Sequence, residues 1–338
     1  MSSAGSSLVT SDLEAPGIRR AKCGRGFRYT WPDGTPLRDQ AVKERIKALV
    51  IPPAWADVWI CPDATGHIQA TGTDAAGRRQ YLYHAEWRQQ RDRQKHDRVL
   101  KFGAALPAIR GAVERDLGSR GLSRSRVVAA AVRLIDLGFF RPGGTEYAEE
   151  NGSYGLTTIR REHVRCSAGQ LHFDYPGKSG KQQEGAVADA RVVAVIRSLR
   201  RSRAADDTLF ACSDGAGWHD LTAADINDYL REIGGEGFTA KDFRTWHATV
   251  LAAVALAVSE HAGAAPASRK RAIVRSVREV AGYLGNTPAV ARASYIDPRV
   301  IDRFEQGATM SRILADLGSD AEFGDLPAAA RRRRCSGC

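Results

Sequence analysis

Four short runs of this sequence hold side chains able to do chemistry. They are Phe140-Arg141-Pro-Gly-Gly144, Gly177-Lys178-Ser-Gly-Lys181, Lys241-Asp-Phe-Arg244-Thr-Trp-His247 and Gly285-Asn286-Thr-Pro288, the last followed by Tyr295 nine positions after the asparagine. A guanidinium is planar and donates two parallel hydrogen bonds to the nonbridging oxygens of a phosphate. A phenol is a nucleophile once its proton is removed, and a lysine can return a proton to a leaving oxygen. Arginines that grasp a phosphate beside a tyrosine are what covalent phosphoryl transfer needs when fixed cations carry the developing charge.

Each residue has a plainer reading as well. Pro142 ends the preceding helix by biasing Arg141 toward extended backbone, so the arginine either reaches a phosphate or caps the carbonyls of its own helix end. Arg244 stands near the start of an apolar helix through Val250, Leu251, Val254, Leu256 and Val258. A charge held there needs an anion, which a phosphate or a structural carboxylate would supply. Lys241, three residues earlier, shares its face if the helix has already begun. Thr287-Pro288 reads as an N-cap with proline at the first helical position, and a short helix over Ala289 to Ser294 delivers Tyr295. Asn286 lies just before that start, where an amide and the backbone N–H groups can meet an anion. Taken singly, a tyrosine there is as readily a packing residue.

The elements that must position these runs divide the chain. Up to Asp97 the sequence is rich in Trp, Tyr, Pro and Gly, with alternating runs at Val58 to Cys61, His67 to Thr71 and Gln80 to Tyr83 and a helix over Arg38 to Leu49. This predicts a small sheet with one or two helices. From Val99 the spacing turns helical, as in Val128, Val132, Ile135 and Phe139, then Ile273, Val277, Val280 and Leu284. Between them Gln89 to Arg98, with Arg91, Arg93, Lys95 and Arg98, is a charged connector, a hinge or a linker helix. Val164 to Tyr175 alternates like a hairpin closing on a Gly-rich turn, which puts Lys178 at a tip. The expected class is α+β: an unstructured lead over 1–17, a β-rich domain over 18–97, a larger, mainly helical domain over 98–327 and a basic tail over 328–338.

Composition narrows the partners. Across 338 residues the formal charge is +11, with 43% hydrophobic and 26% charged residues, which suits a folded protein with a polyanionic partner. The first residues lack the pattern of a signal peptide, and no run approaches the ~18 apolar residues of a membrane span. A cytoplasmic protein is expected. The cysteines are scattered except for Cys335-Ser-Gly-Cys338, which follows Arg331 to Arg334 and reads as part of the basic tail. Gly177-Lys178-Ser lacks the earlier glycine of a P-loop, and no His-Glu-x-x-His run exists, so neither a nucleotide cofactor nor a metal is expected.

Arg141, Lys178, Arg244, Asn286 and Tyr295 occur in the order and local contexts of the type IB DNA topoisomerases. From about Ile18 to Gln306 the chain resembles the small two-domain enzymes of bacteria and poxviruses. Ile51-Pro-Pro-Ala-Trp55 and Gly77-Arg78-Arg79-Gln80-Tyr81-Leu-Tyr83 are similar to the DNA-gripping region of that family. The resemblance implies a catalytic domain of the tyrosine recombinase/type IB topoisomerase fold acting on duplex DNA. Tyr295 would form a 3′-phosphotyrosyl link, Arg141, Arg244 and Asn286 would hold the phosphate, Lys178 would protonate the leaving 5′-oxygen, and Lys241 would assist. DNA contacts would come from Arg78, Arg79, Gln80, Tyr81 and Tyr83 in the first domain and Gly144, Tyr147 and Thr245 in the second. Alternating aromatics such as Tyr81 and Tyr83 would equally serve as half-buried packing.

It further implies relaxation of supercoils of both signs without ATP or an obligatory metal, by a monomer that clamps duplex DNA in the nucleoid. Many relatives have histidine where Asn286 stands; an amide donates only a neutral hydrogen bond there. The alternatives are a tyrosine recombinase or integrase and a non-catalytic DNA-binding protein. Recombinases usually carry His-x-x-Arg where this chain has Lys241-Asp-Phe-Arg244, and the first domain lacks the all-helical character expected of integrases.

Overall fold

The structure, a computed structural model, describes residues 8–310 except 139, 145–147, 149–151, 203–206, 215, 216, 236 and 260–265. The chain divides into two compact units, Met1–Asp97 and Arg98–Cys338.

The first unit is a five-stranded antiparallel sheet with strand order β2-β1-β3-β4-β5. Its strands are β1 (Ile18–Cys23), β2 (Gly26–Thr30), β3 (Ala56–Ile60), β4 (Ile68–Thr73) and β5 (Arg79–Tyr83). Helix α1 (Gln40–Ala48) starts at Asp39, whose carboxylate accepts from the N–H groups of Ala41 and Val42. Its Ile46 packs with Ile18, Val58, Ile60 and Ala70 to form the core. The apolar alternation marks β3, β4 and β5, whereas β1 and β2 are masked by Arg19, Arg20, Lys22 and Arg28. Arg20 is satisfied internally, donating to the carbonyls of Ile51, Pro52 and Trp55 with its guanidinium 4.2 Å from the centroid of the Phe27 ring. The lead expected to be unstructured up to residue 17 is instead packed from residue 8 onward. Val9 bridges to Gly66, the Ser11 hydroxyl meets both the N–H and the carbonyl of Ile68, and the Trp59 indole donates to Ala15.

The charged run 89–98 lies within one helix, α2 (Ala85–Leu117), as does the division between the units. In the second unit follow α3 (Arg124–Gly138), α4 (Ala190–Arg201), α5 (Ala223–Gly234), α6 (Ala240–Val258), α7 (Pro266–Leu284), α8 (Pro288–Ser294) and α9 (Pro298–Glu305). A three-stranded sheet, β6 (Val164–Ser167), β7 (Gln170–Pro176) and β8 (Gln182–Val187), is interposed, and β9 (Ala211–Asp214) pairs with β10 (Gly217–Asp220). Where the sequence suggested one hairpin there are two. The first closes on Ala168-Gly169, both with positive φ as a two-residue hairpin requires, and the second closes on the Gly-rich run 177–181.

The main core of this unit gathers around α3, whose Val127 to Val132 are all buried. A second cluster joins Leu251, Ala252 and Leu256 of α6, Ile273, Val277 and Val280 of α7, and Ile296, Ile301 and Phe304 beyond them. That cluster fixes the segment bearing Tyr295 against the helix bearing Arg244. A buried ionic group does the same for α3: Asp136 accepts two hydrogen bonds from Arg110 at 2.8 and 3.1 Å and lies 3.1 Å from Nε2 of His247 on α6. Burial pushes the Asp136 carboxyl up, but His247 and Arg110 prevail and hold it at about 2. Among the described residues no helix is long and apolar enough to cross a membrane, and no group of three or more His, Cys, Asp or Glu could hold a metal ion.

Candidate active site

Arg141 leaves the end of α3 on a backbone path that its neighbours dictate. The carbonyls of Arg141 and Pro142 accept from the N–H groups of Leu156 and Thr157 at 2.8 and 2.7 Å. Two glycines make this approach possible: a Cβ on Gly155 would stand 2.3 Å from the Cα of Gly143, which itself has φ of +100°. The Arg141 guanidinium does not cap its own helix. It donates to the carbonyl of Leu284 at 3.1 Å and to Oδ1 of Asn286 at 3.2 Å.

Arg244 arrives from the first turns of α6 and is only 4% exposed. It donates to the same Leu284 carbonyl at 2.7 Å. Leu284 is the last residue of α7, so its oxygen carries the partial negative charge of a helix C-terminus. Two guanidiniums converging on one neutral acceptor leave net positive charge in a half-buried site, and that favours an anion. Burial and the neighbouring Arg141 lower the Arg244 guanidinium to about 10, partly opposed by the phenols of Tyr295 and Tyr175.

The turn after α7 presents Asn286. Gly285, with φ of +62°, lets the chain reverse while the N–H of Asn286 returns to the carbonyl of Ala281 at 3.0 Å, the glycine-closed end common to helices. Nδ2 of Asn286 is buried and has no hydrogen-bond partner, so a donor is held ready beside the two arginines. Thr287 then caps α8, accepting from the N–H of Val290. Tyr295 ends that helix, and its carbonyl accepts from Oγ1 of Thr249 on α6 at 3.3 Å.

Tyr295 and Arg244 therefore share a scaffold. The guanidinium carbon lies 5.4 Å from the ring centroid. Burial pushes the Tyr295 phenol up, yet the charge and hydrogen bond of Arg244, then Arg141 and Lys241, carry it below the usual tyrosine value. Tyr175, at the end of β7, is the opposite case. It is buried, and burial drives it up to about 12 against the pull of Arg141 and Arg244. Of two phenols near the same guanidiniums, the site ionises Tyr295 more readily.

Arg141, Lys178, Arg244, Asn286 and Tyr175 line one cleft of about 610 Å³. Lys178 is exposed on the turn between β7 and β8, where the N–H of Gly177 donates to the carbonyl of Lys181. Lys241 is exposed at the start of α6, next to Asp242, which Arg98 grips through two hydrogen bonds of 2.7 and 2.8 Å.

The residues expected to touch a polymer are less uniform. Thr245 is 4% exposed, with its hydroxyl turned to the carbonyl of Lys241 at 3.2 Å. Gly144 is exposed, and Tyr147 lies outside the described residues. On β5 the period of two separates the set. Arg79, Tyr81 and Tyr83 occupy the exposed face, with the Arg79 guanidinium 5.8 Å from the Tyr81 ring and the tyrosines stacked at 6.2 Å. Gln80 points the other way and donates to Asp74, which Arg78 also engages. Hydrogen bonds from the Arg78 backbone and then its side chain, with help from Ala76 and Gln80, outweigh burial and hold the Asp74 carboxyl at about 2.

Sequence reasoning missed Tyr175, Thr249 and the Leu284 carbonyl. For Tyr175 the available signal was the inward alternation of Leu171, Phe173 and Tyr175 along β7, which reads simply as packing. A backbone acceptor leaves no trace in residue types.

Residues 84–313 match the model of the eukaryotic DNA topoisomerase I catalytic core, and residues 26–74 match that of the bacterial DNA topoisomerase IB N-terminal domain. The chain is 32% identical to DNA topoisomerase 1B of Acanthamoeba polyphaga mimivirus over 286 residues, covering 83% of this chain and 85% of the relative. It is 20% identical to DNA topoisomerase 1B of Vaccinia virus (strain Copenhagen), covering 78% and 82% of the two. Among solved structures, the XerH site-specific recombinase bound to difH substrate overlaps 60% of this chain and 52% of the recombinase at 15% identity, with a TM-score of 0.37.

Proposed function

This chain belongs to the type IB DNA topoisomerases, and we propose that Tyr295 is its nucleophile, with Arg141, Arg244 and Asn286 as the cradle for the scissile phosphate. The enzyme relaxes supercoiled duplex DNA by cutting one strand, letting it rotate and rejoining it. The observation that carries the residue assignment is the convergence of two guanidiniums beside the Tyr295 phenol.

The chemistry follows from that arrangement. Tyr295 attacks a backbone phosphorus, the phenol's proton leaves, and the 5′-oxygen departs with a proton supplied by Lys178. The phosphodiester energy stays in the 3′-phosphotyrosyl link, so religation needs no nucleotide. Charge building on the nonbridging oxygens meets Arg141, Arg244 and the waiting Nδ2 of Asn286, donors already in place before reaction. Lys178 stands on an exposed turn at the cleft edge, suited to engage only when a duplex is seated. Lys241 contributes charge near the phenol.

We extend this reading to a monomer acting on the nucleoid DNA of the cytoplasm. In support, the whole set of catalytic groups comes from one chain, and Arg79, Tyr81 and Tyr83 offer a cationic, aromatic face to a nucleic acid. The test is plasmid relaxation in EDTA without ATP, with a rate that rises linearly with enzyme concentration. Binding without relaxation, or strand exchange between defined sites, would replace this reading by a DNA-binding protein or a recombinase.

A further inference from the structure

Tyr175 lines the cleft beside Arg141, Arg244 and Asn286, and the chemistry above gives it no task. Its ring packs near two others: it lies nearly parallel to Phe140, with centroids 6.4 Å apart and planes at 15°, and the His163 ring is 6.3 Å away. It is 5% exposed, and it precedes Lys178 by three residues on the strand that leads to the lysine turn. It lines the same cleft as Arg141, Arg244 and Asn286, close enough that both guanidinium charges act on its hydroxyl. Among the described residues no hydrogen bond engages that hydroxyl. A hydroxyl carried by a packed ring in the wall of the cleft, with no partner inside the protein, is a donor open to an acceptor seated there.

We propose that the Tyr175 hydroxyl donates a hydrogen bond to one nonbridging oxygen of the scissile phosphate, making it a further catalytic residue beside Arg141, Arg244 and Asn286. This rests on the reading of those three groups as the phosphate cradle. Tyr175 keeps its proton throughout, because burial makes ionisation harder, so it neither competes with Tyr295 as nucleophile nor takes part in proton transfer. It supplies a neutral donor from the wall of the cleft. Asn286 supplies another from the α7–α8 turn, and together they supplement two arginines already sharing one carbonyl.

The test compares wild-type enzyme with Tyr175→Phe, which retains the ring and its stacking, in single-turnover cleavage of a synthetic duplex. The scissile linkage is an ordinary phosphate or either diastereomer of a methylphosphonate, in which one nonbridging oxygen becomes methyl. On the phosphate, Tyr175→Phe should cleave about tenfold more slowly, the scale of one hydrogen bond to a charged group, with unchanged thermal midpoint and DNA affinity. On the diastereomer lacking the oxygen that Tyr175 contacts, the two enzymes should cleave at equal rates, while the gap persists on the other. Equal rates on the phosphate, or an equal gap on all three substrates, would overturn the proposal while leaving the cradle intact. If wild-type enzyme is itself indifferent to both methyl replacements, the cradle reading fails and this proposal with it.

Discussion

The guanidinium carbon of Arg244 lies 5.4 Å from the ring centroid of Tyr295. They are held there by a shared framework rather than by each other. Arg244 is early in α6, and five residues later Thr249 takes the Tyr295 carbonyl, so one helix sets both ends of the pair. The arginine is thus placed to act twice, on the phenol before attack and on the phosphate during it.

Replacing Arg244 by Ala should therefore reduce the cleavage rate by about 10²–10³, the cost of removing one prearranged donor. Arg244→Lys should recover little, because an ammonium cannot reach the Leu284 carbonyl and a phosphate oxygen in one planar fork. Single-turnover cleavage on a labelled duplex measures both.

The pH profile should carry the same signature. Tyr295 is pulled below the usual tyrosine value mainly by Arg244, so its reactive form gains population at lower pH than a free phenol. Cleavage should rise with pH, and in Arg244→Ala the rising limb should move to higher pH. A limb that stays in place would remove Arg244 from the activation of the phenol.

Asp136 should matter for stability rather than chemistry. Held at about 2 by His247 and Arg110, it stabilises the fold above the ordinary aspartate range, and this contribution is lost as pH falls through about 2. Asp136→Asn should lose about 3–5 kcal/mol, as when one partner of a buried ionic group is removed. Denaturant unfolding at neutral pH reads this directly, and the deficit should shrink in acid.

Gly155→Ala tests the path of Arg141. The added methyl would collide with the Gly143 backbone, forcing apart the strands of chain whose hydrogen bonds fix the arginine. A stability loss of about 1–3 kcal/mol is expected, accompanied by a larger loss of cleavage than of DNA binding.

Much of this site was readable because its parts announce themselves locally. Pro142, Gly143 and Gly144 mark where Arg141 must turn, and Thr287-Pro288 marks where a helix must begin. The segment before Tyr295 could be read without knowing what it packs against. What stayed hidden depends on partners remote in sequence. Arg20 looks like a solvated strand residue until three carbonyls from residues 51–55 surround it. The resemblance groups Gln80 with Tyr81 and Tyr83, although strand alternation separates their faces, and only the fold supplies Asp74 as its partner. The shared acceptor of Arg141 and Arg244 is a backbone oxygen, which no residue type encodes.

The most direct measurement is to trap the covalent adduct on end-labelled duplex DNA, digest the protein and identify the modified residue. The DNA should be found on Tyr295, and Tyr295→Phe should bind the duplex with near-normal affinity yet yield no adduct. An adduct on another residue, or one that persists in Tyr295→Phe, would contradict the assignment of the nucleophile and with it the role given to the paired arginines.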